Sequence, residues 1–126
     1  KVEYVKKGST KNFAIIDAAM NDLMRPSLYN AYHDIINTSQ SSESSAQFDV
    51  VGPVCETGDF IGKDRMLSLE EGNVLAVVDV GAYGMSMSSN YNSRVRPVEL
   101  LVDENKIIEI RKRENFNDLI RGESII

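Results

Sequence analysis

The single cysteine of this sequence stands beside an acid in a glycine-rich stretch. Cys55 and Glu56 lie in "VGPVCETGDFIG", residues 51–62, where glycine recurs three times. A free thiol titrates near pH ~8.5, so at neutral pH it is protonated and can donate a proton if a carboxylate and a reaction site surround it. The alternative is a small, buried, apolar cysteine beside a surface acid. Spacing alone favours the buried cysteine.

A second candidate pair, Arg25 and Tyr29, lies in "MRPSLY". At positions i and i+4 on one turn of helix, their side chains face the same way. A guanidinium fork and a phenol can together hold a carboxylate. The alternative is a surface arginine and a half-buried tyrosine, which spacing alone favours. Pro26 disfavours the helical conformation at Arg25, so the segment is predicted as a loop with at most one helical turn.

Tyr83 stands between Gly81 and Gly84, at the end of an apolar run. Glycine permits tight backbone geometry, so the phenol can be presented at the end of a strand to stack on a ligand or hydrogen-bond to it. The alternative, which spacing alone favours, is a glycine turn with a packing tyrosine.

The only histidine, His33, has no companion at the spacing of a metal site or a catalytic triad. One histidine and one cysteine support neither a zinc centre nor Ser-His-Asp chemistry, so no metal is predicted. We interpret His33 as structural or exposed.

Composition and charge narrow the class of protein. The chain has 126 residues, is 42% hydrophobic and carries a net charge of −5, which suits one soluble domain. Its longest basic run, 111–113, lies in acidic surroundings, so no nucleic-acid partner is expected. No apolar run approaches the ~20 residues that span a bilayer, and residues 1–13 lack the apolar core of a signal peptide, so no membrane partner is expected. One cysteine fits a reducing compartment, and we expect a cytoplasmic location.

The predicted elements are mostly strands. β-rich runs indicate strands at 12–20, 48–55 and 74–84 and a hairpin at 97–113. Asn21 or Asp22 could cap a short helix, and a second short helix is predicted within 114–123. There is little room for βα alternation. The predicted fold class is therefore mainly β, a sandwich or Greek-key-like barrel with one or two short helices.

Four blocks of the chain follow one another in a particular order. They are "IIDAAMNDLMRPSLYNAYHDI", "VVGPVCETGDFIGKDRML", "VGAYGMSMSSNYNSRVRPVELLV" and "IIEIRKRENFNDLI". In this order they resemble the C-terminal part of the diaminopimelate decarboxylases, pyridoxal-phosphate enzymes of the alanine-racemase-like class. The related ornithine decarboxylases typically carry aspartate where this chain has Glu56. Two positions depart mildly from the family: Thr57, where serine is common, and Ala19, where glycine is common.

The resemblance implies both a fold and a chemistry. Residues 1–126 would form the C-terminal β domain of a fold-type III decarboxylase, which converts meso-diaminopimelate to L-lysine with pyridoxal 5'-phosphate as the electron sink. Arg25 and Tyr29 would bind the distal carboxylate of the substrate, and Glu56 its distal ammonium. Cys55 would donate a proton after decarboxylation. Tyr83 would contact the cofactor and help to bind the substrate.

The resemblance also implies partners. The family's enzymes are homodimers in which residues equivalent to Cys55 and Glu56 reach into the neighbouring subunit's site. Their cofactor is held by a lysine of an N-terminal (β/α)₈ barrel, which is absent here, and none of the seven lysines lies in such a motif. We expect the chain alone to be inactive and to leave apolar surface uncovered. The alternatives are the same domain of an ornithine, arginine or carboxynorspermidine decarboxylase, and a non-catalytic dimerisation module.

Overall fold

The structure is a computed structural model that describes residues 1–126. Its elements, in chain order, are β1 (Val2–Lys6), β2 (Asn12–Ile16), α1 (Arg25–Tyr29), β3 (Ile35–Asn37), β4 (Ala46–Val51), β5 (Phe60–Leu67), β6 (Leu75–Val77), two 3₁₀ turns (Met85–Met87 and Tyr91–Ser93), β7 (Glu99–Asp103), β8 (Lys106–Arg111) and α2 (Phe116–Leu119). None of the helices has the length and apolar character needed to cross a membrane.

The strands form three separate sheets. The largest has the order β1-β2-β4-β5, with β2 and β4 parallel and the other two pairs antiparallel. β3 pairs with β6, and β7 pairs with β8, each as an antiparallel two-stranded sheet. The predicted mainly β fold with two short helices is confirmed. The sheets stay open, however, and no closed barrel forms.

The core is built around β4, which lies inside the four-stranded sheet. Phe48 and Val50 on this strand are buried, and each such side chain contributes roughly 1.5–3 kcal/mol to folding. The apolar cluster that they join comprises Val2, Ala14, Ile16, Leu23, Ile35, Phe48, Val50, Ile61, Leu67 and Leu69. Asp49, between them, lies on the opposite face of the strand. Its carboxylate is satisfied there by Lys11 Nζ at 2.7 Å and the backbone N–H of Asp64 at 2.9 Å.

The run 74–84, predicted as a long buried strand, is a strand only at Leu75–Val77, and these residues are half-buried. The backbone turns at 81–84 instead of extending. Because the N–H of Gly84 donates to the carbonyl of Val80 at 2.7 Å, the chain closes a turn before the predicted end of the strand. The prediction of one long strand is therefore wrong.

The first helix begins later than the sequence predicted. Neither Asn21 nor Asp22 caps it, since α1 starts after Met24 and has Pro26 in its first turn. Proline is tolerated there because its missing N–H would have no partner within the helix. Asn30 ends the helix in the left-handed conformation, with φ 53°.

The hairpin predicted at 97–113 is confirmed as β7 and β8, joined through Glu104 and Asn105. Both strands are largely exposed. The apolar side chains that they leave uncovered are Leu100, Leu101, Val102, Ile107, Ile108 and Ile110. The expected uncovered apolar surface is thus present, and it is concentrated on this ribbon.

A polar cluster tethers the ribbon to the rest of the molecule. Arg96 Nη1 donates to Glu114 Oε1 at 2.8 Å and to Asn90 Oδ1 at 2.7 Å. Glu114 Oε2 accepts the backbone N–H of Arg96 at 2.8 Å and the side-chain amide of Asn90 at 2.7 Å. Arg96 precedes β7 and Glu114 follows β8, so the cluster holds both ends of the hairpin at once.

These contacts favour the charged form of the acid. The backbone N–H of Arg96, followed by the amide of Asn90, lowers the pKa of Glu114 from 4.5 to about 2, and the Arg96 guanidinium acts in the same direction. A carboxylate whose pKa is lowered by folding stabilises the folded state above its unfolded pKa. That contribution is present above pH 4.5 and is lost as the pH falls towards about 2.

Replacing Glu114 by glutamine should therefore remove part of the acid sensitivity of folding. We expect Glu114→Gln to lower the free energy of unfolding by about 1–3 kcal/mol at neutral pH, because it removes charge-assisted hydrogen bonds. The difference from wild type should shrink between pH 4.5 and about 2. Denaturant unfolding across this range measures it, with Glu123→Gln as the control because the Glu123 side chain makes no hydrogen bond. A pH-independent difference would contradict the assignment.

Candidate functional site

The loop that carries Cys55 and Glu56 is held by a buried carboxylate. Asp59, only 4% exposed, accepts the backbone N–H of Val54 through Oδ2 at 2.8 Å. Its Oδ1 accepts the backbone N–H of Met20 at 2.7 Å. One side chain therefore closes the loop on itself and fastens it to the segment between β2 and α1.

Gly52 is required by this arrangement. A Cβ at position 52 would lie 2.4 and 2.6 Å from the two carboxylate oxygens of Asp59 and 2.7 Å from the carbonyl oxygen of Ala18. These distances are too short for any side chain, so the carboxylate occupies the space that glycine leaves. The glycine spacing around the cysteine thus has a steric cause at position 52.

Cys55 and Glu56 both lie on the surface. The interpretation of Cys55 as a small buried residue is therefore wrong. Glu56 is held in place, since its Oε1 accepts the backbone N–H of Gly58 at 3.1 Å and its Oε2 accepts the hydroxyl of Tyr91 at 3.3 Å. An exposed thiol thus lies next to an oriented carboxylate.

Helix α1 is fastened to the same loop. Ser27 Oγ lies 2.5 Å from the carbonyl oxygen of Gly58 and 3.2 Å from that of Phe60. This contact fixes the helix that carries Arg25 and Tyr29. Tyr29 is 62% exposed, which corrects its interpretation as half-buried.

Arg25 lies against Tyr83. The guanidinium carbon is 5.4 Å from the centroid of the Tyr83 ring, within the range of a cation–π contact. Arg25 is half-buried and makes no ion pair or side-chain hydrogen bond. Tyr83 is 56% exposed, so the interpretation of this residue as a packing tyrosine is wrong.

The turn that presents Tyr83 depends on one of its two glycines. A Cβ at Gly84 would lie 2.8 Å from the carbonyl oxygen of Val80, whereas a Cβ at Gly81 would meet no atom within 4 Å. Gly84 is therefore sterically required. Gly81 is free to change.

His33 is buried, with 2% exposure, and its Nδ1 lies 3.1 Å from the carbonyl oxygen of Val78. This links the segment before β3 to the segment after β6. The structural interpretation of His33 is confirmed, and its side chain makes no hydrogen bond with the candidate site residues.

Tyr91 is a site residue that sequence reasoning missed. Its segment is anchored by Asn21, which is fully buried: the Ser89 N–H donates to the Asn21 carbonyl at 2.9 Å, and the Asn21 side-chain amide donates to the Ser89 carbonyl at 3.2 Å. The spacing of Tyr91 carried no signal, because only the folded chain brings it to Glu56.

The structure thus joins the candidate residues in two direct contacts, Arg25 with Tyr83 and Glu56 with Tyr91, and links α1 to the Cys55 loop through Ser27. The side chains of Cys55 and Tyr29 make no hydrogen bond with the other candidate residues. The surface carries cavities of about 160 to 480 Å³, and none of the five candidate side chains lines them. The candidate site is an open face.

Comparison with known proteins shows the family to which the chain belongs. A family model described as the pyridoxal-dependent decarboxylase, C-terminal sheet domain, matches residues 1–81. The chain belongs to this family. The match includes Arg25, Tyr29, Cys55 and Glu56 and ends just before Tyr83.

Relatives within the family carry a specific name. The diaminopimelate decarboxylases of Vibrio cholerae and Pseudomonas fluorescens are 55% and 52% identical over 126 residues, which is 100% of this chain and 30% of theirs. The solved diaminopimelate decarboxylase of M. jannaschii in complex with L-lysine is 43% identical, with a TM-score of 0.94 over 100% of this chain and 29% of that one. The chain spans about 30% of the length of the curated relatives it matches.

A more distant structure shares the fold alone. The lysine/ornithine decarboxylase of Vibrio vulnificus, complexed with cadaverine, is 18% identical, with a TM-score of 0.65 over 75% of this chain and 26% of that one.

Substitutions at Gly52 test the steric account of the loop. We expect Gly52→Ala to lower the free energy of unfolding by roughly 1–3 kcal/mol, because the added methyl group would displace the Asp59 carboxylate. Gly81→Ala is the matched control and should stay within about 0.5 kcal/mol of wild type, since its Cβ meets nothing within 4 Å. Denaturant unfolding measures both variants. Equal effects would refute the requirement at position 52.

Proposed function

We propose that the chain is the C-terminal sheet domain of a diaminopimelate decarboxylase, which releases CO₂ from meso-diaminopimelate to form L-lysine. Relatives of that name are 52–55% identical across the whole chain. The related enzymes of M. jannaschii and Helicobacter pylori, 43% and 51% identical, have been solved with L-lysine bound, which is the product of this reaction.

The observation that carries the proposal is the state of Arg25. Its guanidinium lies against the Tyr83 ring and has no carboxylate partner within the chain. A guanidinium fork binds a carboxylate through two parallel hydrogen bonds. Arg25, held in this way, suits a substrate that has two carboxylates. The amino acids ornithine and arginine have only one carboxylate and would leave this guanidinium without a partner. Tyr29, exposed on the same helix, would donate its hydroxyl to the same carboxylate.

Glu56 would bind the distal ammonium of the substrate. Its two oxygens are oriented by Gly58 and Tyr91, and each carboxylate oxygen can accept a further hydrogen bond. Since the side chain is exposed, an ammonium can reach it from outside the domain. Arg25 and Glu56 together would recognise an amino acid group by its opposite charges.

Cys55 would supply the proton that the reaction consumes. Loss of CO₂ breaks a carbon–carbon bond and leaves the electron pair on carbon, and a proton must replace the departed carboxylate. The Cys55 thiol is exposed and would transfer its proton to that carbon. A positioned acid of this kind typically contributes 10²–10⁴-fold to a rate.

The cofactor implied by the family is pyridoxal 5'-phosphate, which supplies an electron sink. The exposed phenol of Tyr83 suits a contact with the cofactor's ring or phosphate. None of the seven lysines forms a hydrogen bond or ion pair with the five candidate residues. We infer that the lysine that binds the cofactor belongs to an N-terminal (β/α)₈ barrel outside residues 1–126.

We further infer that the complete site is shared across a homodimer in the cytoplasm. The five candidate side chains line none of the cavities of about 160 to 480 Å³, so another surface must close over them before water is excluded from the reaction. In this arrangement, the loop of Cys55 and Glu56 would project into the site of the neighbouring subunit.

The substrate assignment can be tested on the polypeptide at its full natural length. With pyridoxal 5'-phosphate, we expect CO₂ release from meso-diaminopimelate and little or none from ornithine, arginine or carboxynorspermidine. Arg25→Lys should reduce kcat/KM for meso-diaminopimelate, because lysine keeps the charge and loses the fork. Preference for a substrate with one carboxylate would overturn the proposal, and complete inactivity would favour a non-catalytic dimerisation module.

The role of Cys55 predicts a particular kinetic signature. We expect Cys55→Ala to lower kcat by about 10²–10⁴-fold and to leave KM within a few-fold of wild type, because the proton is needed after the substrate has bound. Thr57→Ala is the matched control, since Thr57 is exposed on the same loop and its side chain makes no hydrogen bond. Unchanged turnover of Cys55→Ala would remove the proton-donor role.

A further inference from the structure

Arg65, on β5, is buried without a charged partner. It is 9% exposed, and its Nε makes no hydrogen bond. The molecule contains nine ion pairs, and Arg65 takes part in none of them. A guanidinium has five N–H donors and cannot lose its charge in a protein. The side chain therefore carries a permanent positive charge with one buried, unpartnered donor at Nε, and its Nη groups make no hydrogen bond within the chain.

The cation–π contact of Arg65 does not satisfy the hydrogen-bonding capacity of its guanidinium. Its guanidinium carbon lies 3.7 Å from the centroid of the Tyr32 ring. Stacking on an aromatic face favours the cation, but it occupies none of the N–H donors in the guanidinium plane. Buried charges in proteins are normally both paired and hydrogen-bonded.

Arg65 lines a small cavity that is rich in positive charge. The cavity has a volume of about 160 Å³, and its other residues include Pro26, Asn30, Tyr32, Phe60 and Lys63. Lys63 Nζ lies 4.2 Å from the centroid of the Phe60 ring. No acidic residue lines this cavity, although the chain as a whole carries a net charge of −5.

The backbone beside the cavity is shaped to admit the arginine. A Cβ at Gly62 would lie 2.7 Å from Arg65 Nε and 2.7 Å from Ile35 Cδ1. Any side chain at position 62 would therefore displace the guanidinium. The glycine makes room for a charge that the fold does not neutralise.

We propose that this cavity binds a small oxyanion, a carboxylate or phosphate group, between Arg65 and Lys63. Arg65 supplies the planar fork that matches such groups, and Lys63 supplies a second, mobile charge. The oxyanion comes either from solution or from an acidic residue of the same polypeptide outside residues 1–126. None of the five candidate decarboxylase residues lines this cavity, and failure of the proposed anion site would leave the proposed function standing.

The test is thermal unfolding of the polypeptide at its full natural length. Wild type and Arg65→Met are compared in uncharged or cationic buffer with sodium acetate, sodium phosphate or sodium chloride at equal ionic strength. Acetate or phosphate should raise the unfolding temperature of wild type above its value in chloride, because a ligand stabilises the state that binds it. In Arg65→Met, the unfolding temperature should be the same in acetate, phosphate and chloride, because methionine retains much of the volume of the side chain without its charge.

Two further variants test the geometry. Arg65→Lys keeps the charge and loses the fork, so the anion concentration needed for half of the stabilisation should rise at least several-fold. Lys63→Gln changes an exposed residue and should weaken the anion response without abolishing it. Because Lys63 is on the surface, this variant keeps the proposal testable even if changes at Arg65 prevent folding.

Each outcome of these experiments either supports the proposed oxyanion site or overturns it. An acetate or phosphate response that depends on Arg65 supports a site for a free anion. No anion response, with Arg65→Met less stable than wild type by an amount that falls as the chloride concentration rises, assigns the oxyanion to an acidic side chain of the polypeptide, because salt screens an ion pair. A loss of stability that does not depend on chloride is explained by the lost contact with the Tyr32 ring and overturns the proposal. No anion response, with Arg65→Met as stable as wild type or more stable, overturns the proposal.

Discussion

The arrangement of the candidate site depends on one buried carboxylate. Asp59 accepts one backbone N–H group from its own loop, at Val54, and one from the segment between β2 and α1, at Met20. Asn21, which follows Met20, holds the segment that carries Tyr91. Two adjacent residues between a strand and a helix therefore anchor both surface segments that meet at Glu56. Hydrogen bonds to a charged acceptor are among the stronger ones, so this point is suited to keeping exposed loops in fixed positions.

The sequence predicted the types of element better than their extent. Alternating and apolar runs located β4 and the hairpin of β7 and β8, because strand periodicity and turn residues act locally. The prediction of a long strand at 74–84 is wrong because the hydrogen bond from Gly84 to Val80 closes a turn there. The apolar character of the run gives no sign of this turn. The prediction that Pro26 limits this segment to about one helical turn is confirmed, since α1 has five residues and Pro26 lies in its first turn, where proline fits.

The candidate site was predicted in part. The chemistry of Arg25, Cys55 and Tyr83 could be proposed from residue type and family resemblance, but spacing alone favoured a buried cysteine and packing or half-buried tyrosines. Exposure decides between such alternatives, and exposure is a property of the whole fold. The contact of Tyr91 with Glu56, which joins residues 35 positions apart, had no local signal. The same is true of the unpaired charge at Arg65, which looks like an ordinary surface arginine in the sequence.

The parallel pairing of β2 with β4 has a consequence for how the molecule assembles. The two strands are joined by residues 17–45, a crossover that contains α1 and β3. Closing so long a connection costs chain entropy before any contact repays it. A five-residue helix is too short to persist in water by itself, so the positions of Arg25 and Tyr29 depend on tertiary contacts of α1 such as those of Ser27 with Gly58 and Phe60. We therefore expect the geometry of these two proposed substrate-binding residues to form late in folding, after the crossover has closed.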